Sequence, residues 1–494
     1  MEKVKITQES SNGHAEKYNS LFEDFISHEK ETVKLMSAVG KLLYEKGVEL
    51  VLFRIHLVDS SVSQILQFHE YARKVVEKPI DIYITTAIAN EMLSLDLAPS
   101  KIDVGLLGSQ WIEQKDNYNS IADFLADKLN NFIGQQKLQI KPKDVVLFGF
   151  GRIGRLAARE IIMQAGKGQQ LRLRAIVTRN TSDENIMKRA ALLRNDSVHG
   201  KFNGSVIEDM ENKQLIINGQ LVKLIESATP DGIDYESFGL NDVLVIDNTG
   251  KYKEKDTLGL HLKSKGVSKV LLTAPGKEMP NVVYGINHDD LDLENDALVS
   301  AASCTTNAIV PILKVVEDEL GIEKGHIETI HAYTNDQNLL DNMHKKNRRG
   351  RSAPLNMVIT STGAAKAVSK VLPSLSGKLT ANAVRVPTPN GSLAILNLSI
   401  KQETCVDNIN QIIKKAALKG DLVNQINYRM DKELVSTDII GNRCAAVYDS
   451  KATIVFPDGY NALLYVWYDN EYGYTKQVVR LAKHMAKVRR LIYY

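Results

Sequence analysis

Residues 144–162 read DVVLFGFGRIGRLAAREII, and this stretch decides the fold of the central part of the chain. Residues 145–148 have the length and apolar character of a buried β-strand, and the apolar residues after the glycines recur at helical spacing. We predict a strand, a tight turn and a helix. Gly149 would permit the turn, Gly151 the close approach of a ligand, and Gly154 the packing of helix on strand. A plain strand-to-helix corner that needs small residues is the alternative.

A second apolar run, residues 171–177, completes a βαβ unit, and runs at 243–246 and 270–272 would extend the same sheet. This order is typical of a doubly wound parallel sheet that binds a dinucleotide. The pyrophosphate of such a ligand lies at the N-terminus of the helix after the glycine turn. The sequence therefore predicts a nicotinamide-dinucleotide site in this segment.

The end of the second strand reads Thr178-Arg179-Asn180, where a site for NAD normally offers an acidic residue to the ribose 2′-hydroxyl. An arginine cannot accept hydrogen bonds from that hydroxyl, but its guanidinium can bind a 2′-phosphate. We therefore expect NADP to be accepted and preferred over NAD. The alternative is that Arg179 is a solvated charge at the end of a strand.

Cys304 lies in Ser-Cys-Thr-Thr-Asn, directly before a helix-like stretch, residues 308–320. A helix N-terminus favours a thiolate. His331 follows a strand-like run, residues 327–330, and an imidazole beside a thiol would make an activated nucleophile. A spacing of 27 residues does not establish contact. A buried structural cysteine and a structural histidine are therefore the alternatives.

The chain of 494 residues is 44% hydrophobic and has a net charge of +3, which indicates a globular protein without the basic surface typical of nucleic-acid binding. Three cysteines and no long apolar run favour a cytoplasmic protein outside the membrane. Residues 1–142 predict a mostly helical extension, joined through a polar linker at 135–143. We expect the extension to fold as its own unit, to supply no catalytic group and to bind no metal.

Seven motifs after position 142 occur in the order and at the spacing of one family: GFGRIGR, DSVHGKF, SCTTN, HAYTNDQ, STGAAKAV, RVPTPN and WYDNEYGY. Residues 143–494 resemble phosphorylating glyceraldehyde-3-phosphate dehydrogenase. The resemblance implies a Rossmann-type dinucleotide-binding domain (143–303 and 471–494) and an α+β catalytic domain with a mixed or antiparallel sheet (304–470). It also implies a homotetramer that uses NAD or NADP.

The resemblance further assigns roles to individual residues. Cys304 would be the nucleophile, and His331 the base that holds it as thiolate and takes a proton during aldehyde oxidation. The substrate phosphate would be bound by Thr334, Asp336 and Arg385. Inorganic phosphate would be bound by Ser303, Thr305, Thr362, Gly363 and one of the pair Arg348-Arg349, for which we choose Arg349. The cofactor would contact Gly149, Gly151, Arg152, Ile153, Gly154, Thr178, Arg179, Thr249, Gly250, Asn470 and Tyr474.

Three departures from the family pattern stand out: Thr178-Arg179 replaces the usual Asp, Asn342-Met343 the usual Leu-Pro, and Phe148 the usual Asn. The first two concern the adenosine ribose and agree with NADP use. Two other functions stay open. One is erythrose-4-phosphate dehydrogenase, which has the same thiol and imidazole but hydrolyses its thioester to a free acid. The other is a binding or scaffold protein that keeps the dehydrogenase fold.

Overall fold

A computed structural model describes residues 11–134, 140–166 and 170–494. Residues 135–139, the main part of the predicted linker, lie outside the described residues. The chain forms two compact units, one of residues up to 139 together with 490–494, the other of residues 140–489. Among the described residues, no helix is long and apolar enough to cross a membrane.

The first unit is mostly helical, as predicted, and its helices surround a small sheet. Side chains that cap the first backbone N–H groups start several helices: Ser61, Asp81, Asp103 and Ser120. The helices are α1 (Ser11–Lys41), α2 (Val62–Tyr71), α3 (Ile82–Glu91), α4 (Val104–Gln114) and α5 (Ile121–Lys128). The strands are β1 (Glu49–Leu52), β2 (Ile55–His56), β3 (Ser100–Asp103) and β22 (Leu491–Tyr493), in the order β2-β1-β3-β22.

Three apolar runs of the extension are too short for periodicity to distinguish a strand from a helix, and the structure shows what each forms. Residues 49–57 contain the β1–β2 hairpin. Residues 80–84 lead into α3, whereas residues 102–107 end β3 and begin α4.

The C-terminal residues correct the sequence-based division, which placed 471–494 in the dinucleotide-binding domain. Strand β22 runs parallel to β3, with Leu491 opposite Ser100 and Tyr493 opposite Ile102. Residues 490–494 therefore belong to the first unit. Backbone pairing and the packing of Leu491 and Tyr493 on the core of the first unit hold them there.

The second unit begins with the predicted doubly wound sheet, of order β13-β12-β11-β4-β5-β10-β9-β8. The strands from β13 to β10 are parallel, and β9 and β8 add an antiparallel edge. Their bounds are β4 Lys143–Phe148, β5 Leu171–Thr178, β8 Val206–Asp209, β9 Gln214–Ile217, β10 Gln220–Glu226, β11 Val243–Asp247, β12 Val267–Leu272 and β13 Leu298–Ser300. A separate hairpin pairs β6 (Asn195–Asp196) with β7 (Gly200–Lys201). The helices are α6 (Arg152–Met163), α7 (Asp183–Arg194), α8 (Lys255–Gly259) and α12 (Tyr472–Met485).

The second sheet of this unit is mixed, as the resemblance implied, with order β15-β16-β14-β17-β21-β19-β18 and β20 paired to β21. Strands β14 and β16 are parallel, whereas β14 and β17 are antiparallel. The strand bounds are β14 Ile322–Ala332, β15 Val358–Thr360, β16 Leu379–Val386, β17 Ser392–Ile400, β18 Ile426–Arg429, β19 Ala446–Asp449, β20 Ile454–Val455 and β21 Asn461–Tyr468. The helices are α9 (Cys304–Leu320), α10 (Ala364–Val371) and α11 (Val406–Leu418).

Candidate active site

The glycine turn after β4 has the geometry for which its three glycines were singled out. Gly149 has φ +92°, a conformation that favours glycine. A Cβ on Gly154 would lie 2.5 Å from the carbonyl oxygen of Gly149, so only glycine allows this approach of helix to turn. A Cβ on Gly151 would meet nothing within 4 Å. The turn therefore leaves open space at the N-terminus of α6, which fits a cofactor pyrophosphate.

The side chain of Arg152 is engaged within the protein. Its guanidinium forms ion pairs with Glu471 and, at 3.1 Å, with Asp196. The hydrogen bond to Glu471 is the largest cause that raises the pKa of Arg152. The backbone N–H groups of Arg152 and Ile153 lie in the first turn of α6, where an anion would be bound.

At the carboxyl end of β5, Thr178 is buried, and its hydroxyl donates a hydrogen bond to the carbonyl of Asn180 at 3.1 Å. Arg179 is exposed. Arg189 on α7 has a buried Nε without a hydrogen-bond partner among the described residues. Burial and then the positive charge of Arg179 lower the pKa of Arg189, so two arginines act on one another beside the predicted ribose position.

The other predicted cofactor residues lie at or near the carboxyl ends of strands or in the motif before α12. Thr249 donates a hydrogen bond from its hydroxyl to Asp247 at 2.7 Å, and its methyl group packs on the Gly149 turn; Gly250 follows with φ +62°. The amide oxygen of Asn470 accepts a hydrogen bond from Ser392 at 2.8 Å. Tyr474 is buried and donates to the carbonyl of Ala302 at 2.9 Å.

The structure brings the predicted nucleophile and base together. Cys304 is the first residue of α9, which Ser303 caps by accepting a hydrogen bond from the Thr306 N–H. His331 lies near the end of β14, and its Nε2 is 3.6 Å from Cys304 Sγ. Thiol and imidazole are therefore in contact at a helix N-terminus, which supports an activated nucleophile.

Two protonation directions follow from the surroundings of this pair. Burial raises the pKa of the Cys304 thiol, although the Arg385 guanidinium acts in the opposite direction. Burial and then Arg385 lower the pKa of His331 to about 3. We assign the neutral imidazole proton to Nδ1, which then donates to the Ala332 carbonyl at 2.7 Å. Arg385 Nη1 donates to the same carbonyl at 2.8 Å, so its 2.9 Å approach to Nδ1 is a contact between two donors and not a hydrogen bond. Nε2 then presents its lone pair to the thiol, as a base requires.

The predicted substrate-phosphate residues form one connected cluster with His331. Sheet register places Arg385 opposite His331, 2.9 Å from Nδ1, and Arg385 donates to the Thr334 hydroxyl at 3.4 Å. Thr334 donates in turn to Asp336, which forms an ion pair with Arg349. Hydrogen bonding by Thr334 and the charge of Arg349 outweigh burial and lower the pKa of Asp336. The cluster thus holds two guanidiniums against one carboxylate.

The remaining predicted phosphate residues supply hydroxyl and backbone groups. Thr305 follows Cys304 and shares a 3.0 Å hydrogen bond with the Tyr468 hydroxyl. The Thr362 hydroxyl accepts from the Ala364 N–H at 3.2 Å, and Gly363 precedes α10. Among the described residues, neither Thr362 nor Gly363 is hydrogen-bonded to Cys304. Arg348 neighbours Arg349 in a short 3-10 turn, Asn347–Gly350.

The two stretches of chain that contribute to this site match two family models. The NAD binding domain of glyceraldehyde 3-phosphate dehydrogenase matches residues 143–255, and the C-terminal domain of the same enzyme matches residues 303–470. A protein from Pseudomonas aeruginosa (strain UCBPP-PA14) called glyceraldehyde-3-phosphate dehydrogenase-like protein is 47% identical over 458 residues, which are 92% of this chain and 98% of that protein. The chain belongs to the glyceraldehyde-3-phosphate dehydrogenase family.

Other members of the glyceraldehyde-3-phosphate dehydrogenase family match only the later part of the chain. Glyceraldehyde-3-phosphate dehydrogenase 2 of Bacillus subtilis (strain 168) is 40% identical over 343 residues, 69% of this chain and 96% of that protein. The enzyme of Clostridium pasteurianum is 39% identical over 349 residues, 70% and 98% of the two chains. The Pseudomonas relative matches 92% of this chain, so its similarity extends into the N-terminal extension. The other two relatives match only 69% and 70% of the chain.

Some residues of this dehydrogenase site occur in the sequence motifs but had no predicted role. Glu471 and Tyr468 belong to the motif WYDNEYGY, and Asp196 begins DSVHGKF. The structure shows that Glu471 and Asp196 hold Arg152 and that Tyr468 orients Thr305 and lies edge-on to His331, with ring centres 5.9 Å apart. Their membership of the motifs was the available signal, but their partners are distant in sequence.

One group elsewhere in the second unit has the residue types of a metal site: His288, Asp289 and His484, whose ligand atoms lie within 4.8 Å of one another. His288 Nδ1 accepts from the Gly285 N–H, so its proton lies on Nε2, the nitrogen nearest Asp289. The Arg489 guanidinium lies 3.4 Å from His484 Nδ1. A protonated ligand nitrogen and an adjacent cation both disfavour a bound metal ion.

Proposed function

We propose that this protein is a phosphorylating glyceraldehyde-3-phosphate dehydrogenase that oxidises glyceraldehyde 3-phosphate, with NAD(P) and inorganic phosphate, to 1,3-bisphosphoglycerate. The observation that carries the proposal is the contact of Cys304 Sγ with His331 Nε2 at the N-terminus of α9, next to the arginine cluster. A scaffold protein needs neither a nucleophile with a base nor partly buried cations beside it. A dehydrogenase that forms a thioester needs all three.

Cys304 and His331 have complementary roles in this reaction. His331 Nε2 takes the thiol proton as Sγ forms a bond to the aldehyde carbon, and the imidazolium then returns this proton to the former carbonyl oxygen, which gives a hemithioacetal. A bound nicotinamide would supply the acceptor for the hydride that this carbon loses, and Nε2 of His331, neutral again, takes the hydroxyl proton. The product is a thioester on Cys304. An oxygen of inorganic phosphate then attacks the thioester carbon, and the thiolate of Cys304 leaves with the electron pair of the carbon–sulfur bond.

Both phosphates require cations and hydrogen-bond donors near the thiol. We assign the substrate phosphate to Thr334, Asp336 and Arg385, because Arg385 lies next to His331 and hydrogen bonds connect Arg385 to Thr334 and Thr334 to Asp336. We assign inorganic phosphate to Ser303, Thr305, Arg349, Thr362 and Gly363. The excess of guanidinium over carboxylate in the cluster supports binding of dianions.

The cofactor residues fit a nicotinamide dinucleotide, since the space at Gly151 and the first turn of α6 accommodate a pyrophosphate. We propose that NADP is preferred. Exposed Arg179 and the unpaired Nε of Arg189 supply positive charge where a 2′-phosphate would lie, and their mutual repulsion would be relieved by an anion. Thr178 and Asn180 offer further polar groups at the same strand end.

By the same family resemblance we propose a homotetramer as the working assembly. The three cysteines are free, which is consistent with a reducing, cytoplasmic location.

The decisive experiment measures reduction of NADP and NAD by the purified enzyme with glyceraldehyde 3-phosphate, with and without inorganic phosphate. Strict dependence on phosphate and formation of an acyl phosphate are expected. Turnover without phosphate that yields a free acid would instead indicate hydrolysis, as in erythrose-4-phosphate dehydrogenase. Erythrose 4-phosphate is assayed in parallel to compare kcat/KM.

A second measurement separates the enzyme from a scaffold protein. Alkylation by iodoacetamide at neutral pH is followed by mass spectrometry at each cysteine, and Cys304 is expected to react faster than exposed Cys405 despite its burial. Equal, slow reaction at both residues, together with no turnover, would favour the scaffold.

A further inference from the structure

Helix α1 of the first unit has one half that packs on its own domain and one half that lies at the surface. Toward its C-terminus, Leu35, Ala38 and Val39 are buried in the core of the unit. From residue 16 to residue 25 every side chain is exposed. A helix of 31 residues is about 46 Å long at about 1.5 Å per residue, so its first half lacks a covering surface in the described part of the chain.

The exposed surface of α1 carries an apolar stripe that Glu29 interrupts near its middle. Its six members are between 36% and 63% exposed: Tyr18, Leu21, Phe22, Phe25, Val33 and Met36. At about 100° per residue these positions fall within an arc of about 120°, and from Tyr18 to Met36 the stripe is about 27 Å long. Single exposed apolar residues are common, but six of them on one face of a helix mark an interaction surface.

We propose that this stripe binds the same stripe of a second copy of the chain, with the two α1 helices antiparallel. The positions of the stripe are symmetric about residue 27. Tyr18 and Met36 are equally far from residue 27 along the helix and point in the same direction, and Phe22 and Val33 are almost equally far from it. A two-fold pair requires this symmetry, because residue i then contacts j and j contacts i.

The direction of the pair follows from Glu29, which lies in the middle of the stripe. A parallel pair in register would place the two Glu29 carboxylates against each other and repel. The antiparallel pair places each Glu29 beside Phe25 of the other copy, with its aliphatic stem on the ring and its carboxylate toward water.

The area of the stripe is adequate for a specific contact. Six large side chains that are about half exposed offer roughly 100 Å² each, so a pair would bury about 1,200 Å² in total. This is the lower end of specific interfaces. Association is therefore expected to be helped when other contacts, such as those of an oligomeric core, already hold copies together.

Disulfide trapping tests both the partner and the direction. In a Cys405→Ser background, which removes an exposed native thiol, the double variant Tyr18→Cys/Met36→Cys is oxidised mildly and analysed on a denaturing gel without reductant. Residues 18 and 36 of one helix are about 27 Å apart and cannot bond to each other. Antiparallel pairing predicts a covalent dimer for the double variant. Each single variant is expected to stay monomeric, like the background.

Two further variants control for random collision. Phe22→Glu added to the cysteine pair is expected to reduce cross-linking at least tenfold. Lys34→Glu, an exposed change off the stripe, is expected to leave cross-linking unchanged. Cross-linking by the single variants would indicate parallel or random contact and overturn the proposal. Absence of cross-linking in the double variant, with both thiols shown free and the protein folded, would also overturn the proposal. This is the result expected if the stripe binds a different protein.

Discussion

Deletion of residues 490–494 should destabilise the first unit of the protein and leave the second unit intact. These five residues follow the dehydrogenase core in sequence, but strand β22 is an edge strand of the sheet in the first unit, where it pairs with β3. The deletion therefore removes a strand of the first unit, although it shortens the chain directly after the second unit.

The magnitude can be worked out from the contacts that are lost. Leu491 and Tyr493 pack on the core of the unit, and partial burial of two such side chains contributes about 3 kcal/mol. The Tyr493 hydroxyl donates to Gln110 at 2.6 Å, which adds about 1 kcal/mol. Arg490 donates to Glu49 at 3.3 Å in a buried pair. Loss of Arg490 costs about 1 to 3 kcal/mol more, and the cost is limited to this range because Glu49 keeps Lys101 and His56 as partners.

The total loss is about 6 kcal/mol, a large share of the ~5–15 kcal/mol that stabilises an ordinary domain. For a unit of this size we expect its unfolding midpoint to fall by about 10 to 20 °C. The pKa of Glu49 is held well below its usual value by Lys101, His56 and Arg490, against the effect of burial. Glu49 would therefore stay charged near neutral pH and keep most of its desolvation cost.

The assay is limited proteolysis across a temperature series, with fragments mapped by mass spectrometry and dehydrogenase activity measured on the same samples. Cleavage within residues 11–134 should begin at lower temperature in the deletion variant, while activity is retained. Ile492→Ser is the matched control, because Ile492 is 42% exposed in the same strand. An unchanged proteolysis midpoint after the deletion would show that β22 does not stabilise the first unit. The same contacts require that a variant lacking residues 1–142 also lack 490–494, or Leu491 and Tyr493 would be left without their core.

Three further changes test the candidate site. Cys304→Ser should abolish turnover and leave cofactor binding, followed by fluorescence quenching, largely intact, because a hydroxyl lacks the acidity of the thiol; residual turnover near the parent rate would contradict this. His331→Asn should slow thioester formation in a rapid-mixing assay and shift alkylation of Cys304 to higher pH, and an unchanged alkylation profile would rule out the pairing. His331→Asn should also resist acid better than the parent. The pKa of His331 is about 3 in the folded state against an ordinary 6.5, so the parent loses stability as the pH falls below 6.5, by about 2 kcal/mol at pH 5. Urea unfolding of both proteins at pH 7 and pH 5 measures this difference. Arg179→Asp should reduce kcat/KM for NADP relative to NAD roughly tenfold to hundredfold, since it replaces a charge-assisted bond of ~1.5 to 3 kcal/mol by repulsion; no relative change, or an NAD preference in the parent, would end the idea.

Local sequence was sufficient to predict the elements that depend on local physics. The order of apolar run, glycines and periodic helix predicts β4, the turn and α6, because each glycine answers a steric demand within a few residues of itself. Cys304 at the start of α9 belongs to the same class of prediction. The contact of Cys304 with His331 does not, because it depends on how α9 and β14 pack.

Two features of the fold lay beyond sequence reasoning for physical reasons. Strand β22 has three residues and pairs with β3, about 390 positions earlier in the chain, so no periodicity could reveal it. The partners of Arg152 were equally hidden, since Glu471 lies 319 residues away. The resemblance assigned Arg152 to the cofactor region. The structure adds that its guanidinium joins the end of the glycine turn to the motif before α12.

The charges around His331 couple phosphate binding to proton transfer. Arg385 lies 2.9 Å from the imidazole and, after burial, is the largest cause of its lowered pKa. A neutral imidazole with so low a pKa is a weak proton acceptor. On the proposed assignment, the substrate phosphate binds Arg385 and offsets that guanidinium. The pKa of His331 then rises, so His331 becomes an effective base when the substrate that needs it is bound. If the assignment is correct, these partly buried cations make activation of Cys304 depend on a phosphorylated aldehyde.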